Sequence, residues 1–230
     1  MDEPSADESE AVSPAKEKQS WRLLGIAVLI VLVVFIAFFL IKERSPERPL
    51  TVDELHELNL QGELDEDQGY IYNGFSFVYS TGSWFTKIRK GNEVYGIPLH
   101  YSPRDVEDIP IEGKLGPGFG SADTFYITHD SDDPSIGYIA VSGGELGVTL
   151  VTIFGVPPLY TCSTNESIDC QGLEYPVGGC ELDGSVFYLR TSSSPQISLG
   201  NNCALIEGNE LDLVRAMDKF LFVLYGIMEP

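Results

Sequence analysis

GYIAVSGGELGVTLVTIFGVPP, Gly137 to Pro158, carries two periods at once. Ile139, Leu146, Leu150 and Phe154 recur near the spacing of one helix face, whereas the Val, Ile and Thr content favours strand and the Gly143–Gly144 pair weakens a helix. The residues leave helix or strand open over 139–155. The preferred reading is a helix that begins near Ser142 and ends before Pro157. In either form its apolar mass has to be buried.

The flanking sequence surrounds this stretch with short strands. TFYITHD (124–130) reads as a strand before it, and SVFYLRT (185–191), PQISL (195–199) and CALIEG (203–208) as strands after it. ELDLVRAMDKFLFVLYGI (210–227) then reads as an amphipathic helix. Asn209 is its expected cap, Glu210 and Asp212 lie in its first turn, and Leu213, Met217, Phe220, Leu221 and Leu224 form one apolar stripe. From residue 70 to 101 the period is two. YIYNGFSFVYS, SWFTKIR and EVYGIPLHY, separated by Thr81-Gly82 and Gly91-Asn92, predict a three-stranded antiparallel meander. Pro98 lacks an amide hydrogen and places the third strand at a sheet edge or beside a bulge. Thr51 and Glu54 form a capping-box pair that predicts a short helix over 52–60, ended by Gln61 and Gly62. The fold class is therefore α+β: an antiparallel meander with a C-terminal amphipathic helix packed on a sheet.

Nearer the N-terminus the character changes. LLGIAVLIVLVVFIAFFLI, residues 23–41, is nineteen residues without a charge or a polar face. At about 1.5 Å per residue it spans roughly 28 Å, close to the hydrocarbon thickness of a bilayer. It exceeds the apolar core of a cleavable signal, and it runs into KERSPERP without a small-residue cleavage site, so it reads as a retained anchor in the lipid bilayer. Trp21, Arg22, Lys42 and Arg44 are suited to the two headgroup levels. Residues 1–20, acidic and without Leu, Ile or aromatics, read as a disordered tail. The expected organisation is that tail, a transmembrane helix over 21–42, a juxtamembrane linker with a short helix over 43–69, and a disulfide-containing α+β domain over 70–230.

The positive-inside rule does not orient the span, because Lys16, Lys18 and Arg22 precede it and Lys42, Arg44 and Arg48 follow it. The cysteines carry more weight. All 4, Cys162, Cys170, Cys180 and Cys203, fall after the span, with no C-x-x-C pair and no zinc-like spacing to His56, His100 or His129. Two disulfides in an oxidising compartment explain them best. Three pairings are open; Cys162 with Cys170 and Cys180 with Cys203 is favoured because it closes short loops in a Gly- and Ser-rich region. Asn165-Glu166-Ser167 is a glycosylation sequon within the first loop. Together these favour a cell-membrane protein with its N-terminus cytoplasmic and its C-terminal domain outside.

From residue 49 onward there are 8 Lys and Arg against 27 Asp and Glu, a net of −19 within a chain of −21. Nucleic acid and anionic lipid are poor partners for such a surface; cations and basic proteins fit it better. His129 to Pro134, HDSDDP, groups Asp130, Asp132 and Asp133 after a strand, oxygen ligands of the kind Ca²⁺ takes, without the spacing of an EF-hand loop. Asp65 and Asp67 in DEDQG make a weaker group of the same kind. No G-x-S-x-G, H-E-x-x-H or nucleophile triad pattern is present, GPGFGSAD lacks the ending of a phosphate loop, and His100 and His129 read as structural residues in strands. Trp84, Phe85, Tyr95 and Tyr101 could form a binding face for sugar or peptide, although alternation assigns most of them to the core.

YNGF at 72–75, GNEVYGIPLHYSPRDVEDI at 91–109, the four cysteines and NNCALIEGNELDLVRAMDKFLFVLYGI at 201–227 resemble uncharacterised single-pass membrane proteins of small-genome archaea. The resemblance implies an archaeal envelope location and no activity, cofactor or site. The leading functional expectation is a membrane-anchored extracytoplasmic binding or assembly module for an envelope protein or glycan. The alternative is an exported hydrolase-type enzyme with a site built from scattered Asp, Glu and His. A deep pocket in which a carboxylate meets His100 or His129 would favour the enzyme; a flat apolar patch on the sheet would favour the module.

Overall fold

The structure, a computed structural model, describes residues 26–36, 48–164, 170–171 and 176–230. The chain divides into two units, Met1–Pro49 and Leu50–Pro230. In the first, α1 (Ile26–Ile36) is an apolar helix with its side chains exposed. It lies inside the segment read as an anchor. The rest of that segment and the tail 1–20 lie outside the described residues.

The second unit opens with α2 (Val52–Gln61). Its first turn is closed by the expected reciprocal cap: Glu54 N–H donates to Thr51 Oγ1 at 3.3 Å, and Thr51 N–H donates to Glu54 Oε2 at 2.9 Å. Left-handed Gly62 ends it. This helix falls within the Leu50–Pro230 unit. Its Asn59 amide donates to the carbonyls of Tyr70 and Phe77, which binds α2 to the first sheet.

That sheet holds β1 (Gly69–Tyr72), β2 (Phe75–Ser80), β3 (Ser83–Lys90) and β4 (Glu93–Leu99), antiparallel and in chain order. It has four strands where three are expected. Asn73 and Gly74 both take positive φ, the signature of a type I′ turn, and fold YIYNGFSFVYS onto itself in the register Tyr72 with Phe75.

The second sheet is made of β5 (Ile111–Gly113), β6 (Phe125–His129), β7 (Leu159–Cys162), β8 (Ser185–Thr191), β9 (Gln196–Leu199) and β10 (Cys203–Gly208), in the order β5-β9-β10-β8-β6-β7. It is a mixed sheet in which β9 with β10 is the antiparallel pair and the other neighbours are parallel. Parallel neighbours need a crossover, and the ambiguous stretch supplies one between β6 and β7.

It is a helix, and a longer one than expected. α3 runs Ile136–Thr149 and continues as a π-helical turn, Leu150–Phe154, ended by left-handed Gly155. It starts six positions before Ser142 because the loop ahead of it is anchored: Asp133 Oδ1 accepts the Ser135 N–H at 2.8 Å, and Ile136 N–H donates to the Asp133 carbonyl at 3.1 Å. The glycines that weaken it in isolation admit a neighbour here. A Cβ at Gly147 would collide with the Tyr160 hydroxyl of β7, and that hydroxyl donates to the Gly143 carbonyl at 3.2 Å. By length and composition Ile136–Phe154 is the one described helix that could cross a bilayer, yet nearly half of it is buried against the domain's own elements.

α4 (Leu211–Leu224) is the C-terminal helix, and its entry differs from the expected cap. Asn209 Oδ1 accepts from Ser135 Oγ at 3.3 Å, tying it to the start of α3, while Glu210 takes a positive φ ahead of the helix. The helix is buried far beyond one stripe. Phe222 meets Phe77 of the first sheet edge-on at 5.6 Å, and Phe220 meets Phe187 of the second at 5.8 Å. α4 therefore lies between the two sheets. Phe222→Ala should lower unfolding stability by about 3–5 kcal/mol in urea denaturation, as a large core ring does, whereas Leu211→Ala at the exposed start of α4 should stay within about 0.5 kcal/mol.

Candidate functional site

β4 leaves the first sheet at Leu99, and the next two residues turn over the middle of α4. Asp218, fully buried, accepts the Tyr101 N–H at its Oδ2 at 2.7 Å and also draws on the His100 N–H. This fixes the backbone from which the His100 ring projects toward α3. Its Nδ1 meets Glu145 Oε1. One turn on, Thr149 Oγ1 and Tyr225 Oη share a hydrogen bond of 2.7 Å.

Beside this polar group lies a cavity of about 380 Å³ between β4 and α3. Ile97, Leu99, Val148, Ile153 and Leu221 supply aliphatic walls, and Glu145, His100 and Thr149 supply the polar edge. Two bridges tie α3 and its π turn to the first sheet, one just past the end of β4 and one from the end of β3. His100 with Glu145 forms one; Lys90 donating to the Ile153 carbonyl forms the other, with its ammonium 5.7 Å from the Phe154 ring centre. The π turn sits in this wall, a helical irregularity found frequently at functional sites.

The electrostatics are set by burial. Burial pushes Asp218 well above the usual carboxylate range, and the nearby Glu145 pushes it further, against the pull of the two backbone N–H groups. Glu145 is also raised by burial, with His100 drawing it back. Burial takes Tyr225 up to about 12. Glu145 Oε2 and Asp218 Oδ1 are buried with no hydrogen-bond partner among the described residues. Glu145 lines the cavity with part of its side chain exposed, so its carboxyl group is what an incoming donor or cation meets at this edge.

Of the residues singled out in the sequence, His100 belongs to this site, just past the end of β4 and half exposed rather than a structural strand residue; the others stand elsewhere. Asp133 is turned inward: its Oδ2 accepts the Thr191 N–H at 2.9 Å and its Oδ1 the Thr191 hydroxyl, which ties the loop to β8. Asp130 Oδ1 accepts the Asp132 N–H at 3.1 Å in a local turn. Among the described residues no group of three or more His, Cys, Asp or Glu is placed to hold a metal ion. His129 stands in β6, its pKa lowered by burial. Trp84 packs on Tyr70 and Tyr79 at 5.4 and 5.3 Å, and Phe85, its neighbour in the strand, takes the opposite face, so the aromatic set is not one surface. The Gly-rich loop packs Phe119 against Phe187 at 5.2 Å.

Cys162 is joined to Cys170 and Cys180 to Cys203, with Cα separations of 5.9 and 5.3 Å. Two disulfides fit an oxidising setting. Asn165 lies outside the described residues. Glu145 and Asp218 escaped the sequence reading, although each left a signal: Glu145 is the one charge within 137–158, and Asp218 interrupts the apolar stripe beside Met217. Among known proteins, no family model, curated protein or solved structure matches the chain.

A carboxyl group whose folded-state pKa is raised keeps a proton that the unfolded chain has already released, so its contribution to stability falls as pH rises through that window. Asp218→Asn removes this loss. Its Tm should exceed that of the native chain at about pH 7.5, and the advantage should be lost at about pH 3, below the 3.8 of an ordinary aspartate, where the carboxyl is protonated in the folded and unfolded chain alike. An equal offset at both pH values would contradict the assignment.

Proposed function

We propose that the Leu50–Pro230 unit is a ligand-binding module of the cell envelope, carried outside the membrane by the apolar segment 23–41, with the cavity between β4 and α3 as its binding site. The observation that carries this reading is the combination of aliphatic walls with one carboxyl–imidazole pair at the edge of a cavity of about 380 Å³, the Glu145 side chain largely covered and the His100 ring half exposed. Binding sites for small groups have this size and this ratio of apolar wall to polar anchor. The preferred occupant is an aliphatic group bearing a positive charge, since the part-exposed Glu145 carboxyl group lines the cavity and the domain is strongly acidic. The two disulfides support the exterior location, with the N-terminus cytoplasmic. Aliphatic rather than aromatic walls favour an envelope protein over a glycan as partner.

The hydrolase reading has one observation in its favour. Glu145 holds His100 by Nδ1, the arrangement that leaves Nε2 to act as a base. Such a base needs a nucleophile, and among the described residues His100 makes no hydrogen bond to a Ser, Thr or Cys. Binding is the better reading of the same pocket.

Two probes of equal length and opposite charge separate the possibilities. Millimolar n-hexylammonium should raise the Tm of the chain at neutral pH, n-hexanoate should not, and Glu145→Gln should remove the difference. Equal shifts with both ions, or none with either, would overturn the binding-site assignment.

A further inference from the structure

β4 is the edge of its sheet, paired with β3 on one side and with no described strand on the other. The turn at Gly91 and Asn92 sets Lys90 opposite Glu93, and a two-residue turn closes on a pair that exchanges backbone hydrogen bonds. Hydrogen bonding to β3 then recurs at every second residue, Glu93, Tyr95, Ile97 and Leu99. Val94, Gly96 and Pro98 turn their backbone groups outward. Pro98, with no N–H to offer, falls in the outward set, where it interrupts no bond to β3. Val94 and Gly96 make no backbone hydrogen bond outside the sheet among the described residues. Val94 is half exposed, and the space beside Gly96 is open.

Across the cavity stands α3, with Gly144, Val148 and Thr152 in its wall and open space at Gly144 as well. A sheet edge facing a helix over an apolar cleft suits one kind of ligand above others. An extended chain can pair its backbone with the edge while every second side chain enters the cleft. The composition of the cleft then states which side chains. The Ile97, Leu99, Val148 and Leu221 walls accept an aliphatic group, and at the same end the part-exposed Glu145 carboxyl group suits a cation. The net charge of −19 from residue 49 onward favours a basic chain before contact is made.

We propose that an extended peptide segment adds to β4 as a fifth strand, pairing with Val94 and Gly96, and places an aliphatic side chain in the cavity and a Lys or Arg two residues away against Glu145. This deepens the binding reading above and rests on it. The cleft is already formed between elements tied together by the bridges at Glu145 and Ile153, which limits the ordering cost of association.

The test uses the full-length chain in detergent and fluorescence anisotropy of a labelled peptide of about ten residues, Thr-rich, with a Leu and a Lys two positions apart. N-methylating the peptide amides on either side of the Leu removes donors to the β4 edge without touching the protein, and should weaken binding at least about tenfold. Exchanging the Lys for Glu should weaken it by a similar factor, and Glu145→Gln should abolish the preference for Lys over a neutral residue of the same length. Undiminished binding of the N-methylated peptide overturns strand addition. So does an absence of peptide binding while n-hexylammonium still raises the Tm, which leaves the cavity assignment standing. If neither peptide nor n-hexylammonium binds, both inferences fall together.

Discussion

The burial of α4 between two sheets is the constraint from which the rest of the domain follows. Most of α4 is buried among apolar residues, and Phe220 and Phe222, two positions apart on opposite sides of the helix, reach opposite sheets. Sheets of unlike topology can share one core only because both press on the same helix. The antiparallel sheet covers it with Phe77, while the mixed sheet covers it with Phe187 and adds α3 along its flank. Removing the α4 side chains would leave each sheet with one uncovered apolar face, which is why the domain should unfold as a unit.

Asp218 is the exception on this helix, and it explains why a site exists at all. A carboxyl group with no exposed surface is maintained against its desolvation, which calls for a local purpose. It receives the backbone of residues 100 and 101 and so aims His100 at Glu145, fixing the end of β4 relative to α3. A single buried group thus couples the two-sheet core to the width of the cleft. The two partnerless oxygens, Glu145 Oε2 and Asp218 Oδ1, mark the place where the folded chain falls short of satisfying itself. A functional site is where such a shortfall is expected.

Local features were legible in the sequence where local physics decides. The Thr51–Glu54 cap, the turns at Thr81 and Gly91, the edge position of Pro98 and the apolar stripe of α4 each follow from the chemistry of a few adjacent residues. Asn73-Gly74 was equally local, but the aromatic run continues through it and hides the reversal. What could not be read was long-range. Parallel pairing of β6, β7, β8 and β10 joins strands far apart in the chain, and the start of α3 depends on Asp133 reaching Thr191 across 58 positions. Asp133 in a run of acids looks like a solvated turn or a cation ligand; its actual work is done by a partner that sequence proximity does not reveal. The same holds for the cavity, whose parts come from β4, α3 and α4 and whose charged member looks, in isolation, like a blemish in an apolar helix.

The central claim is that Glu145 is a largely covered carboxyl group at the cavity edge, kept for a cationic ligand. Carbon-13 NMR of Glu-labelled chain, with the Glu145 side-chain carboxyl assigned by Glu145→Gln, reads this directly. Its titration should lie above that of the exposed glutamates in the free chain, because burial raises it, and should move to lower pH when n-hexylammonium is added, because a nearby cation favours the ionised form. A Glu145 signal that titrates with the surface glutamates and ignores the cation would contradict the account.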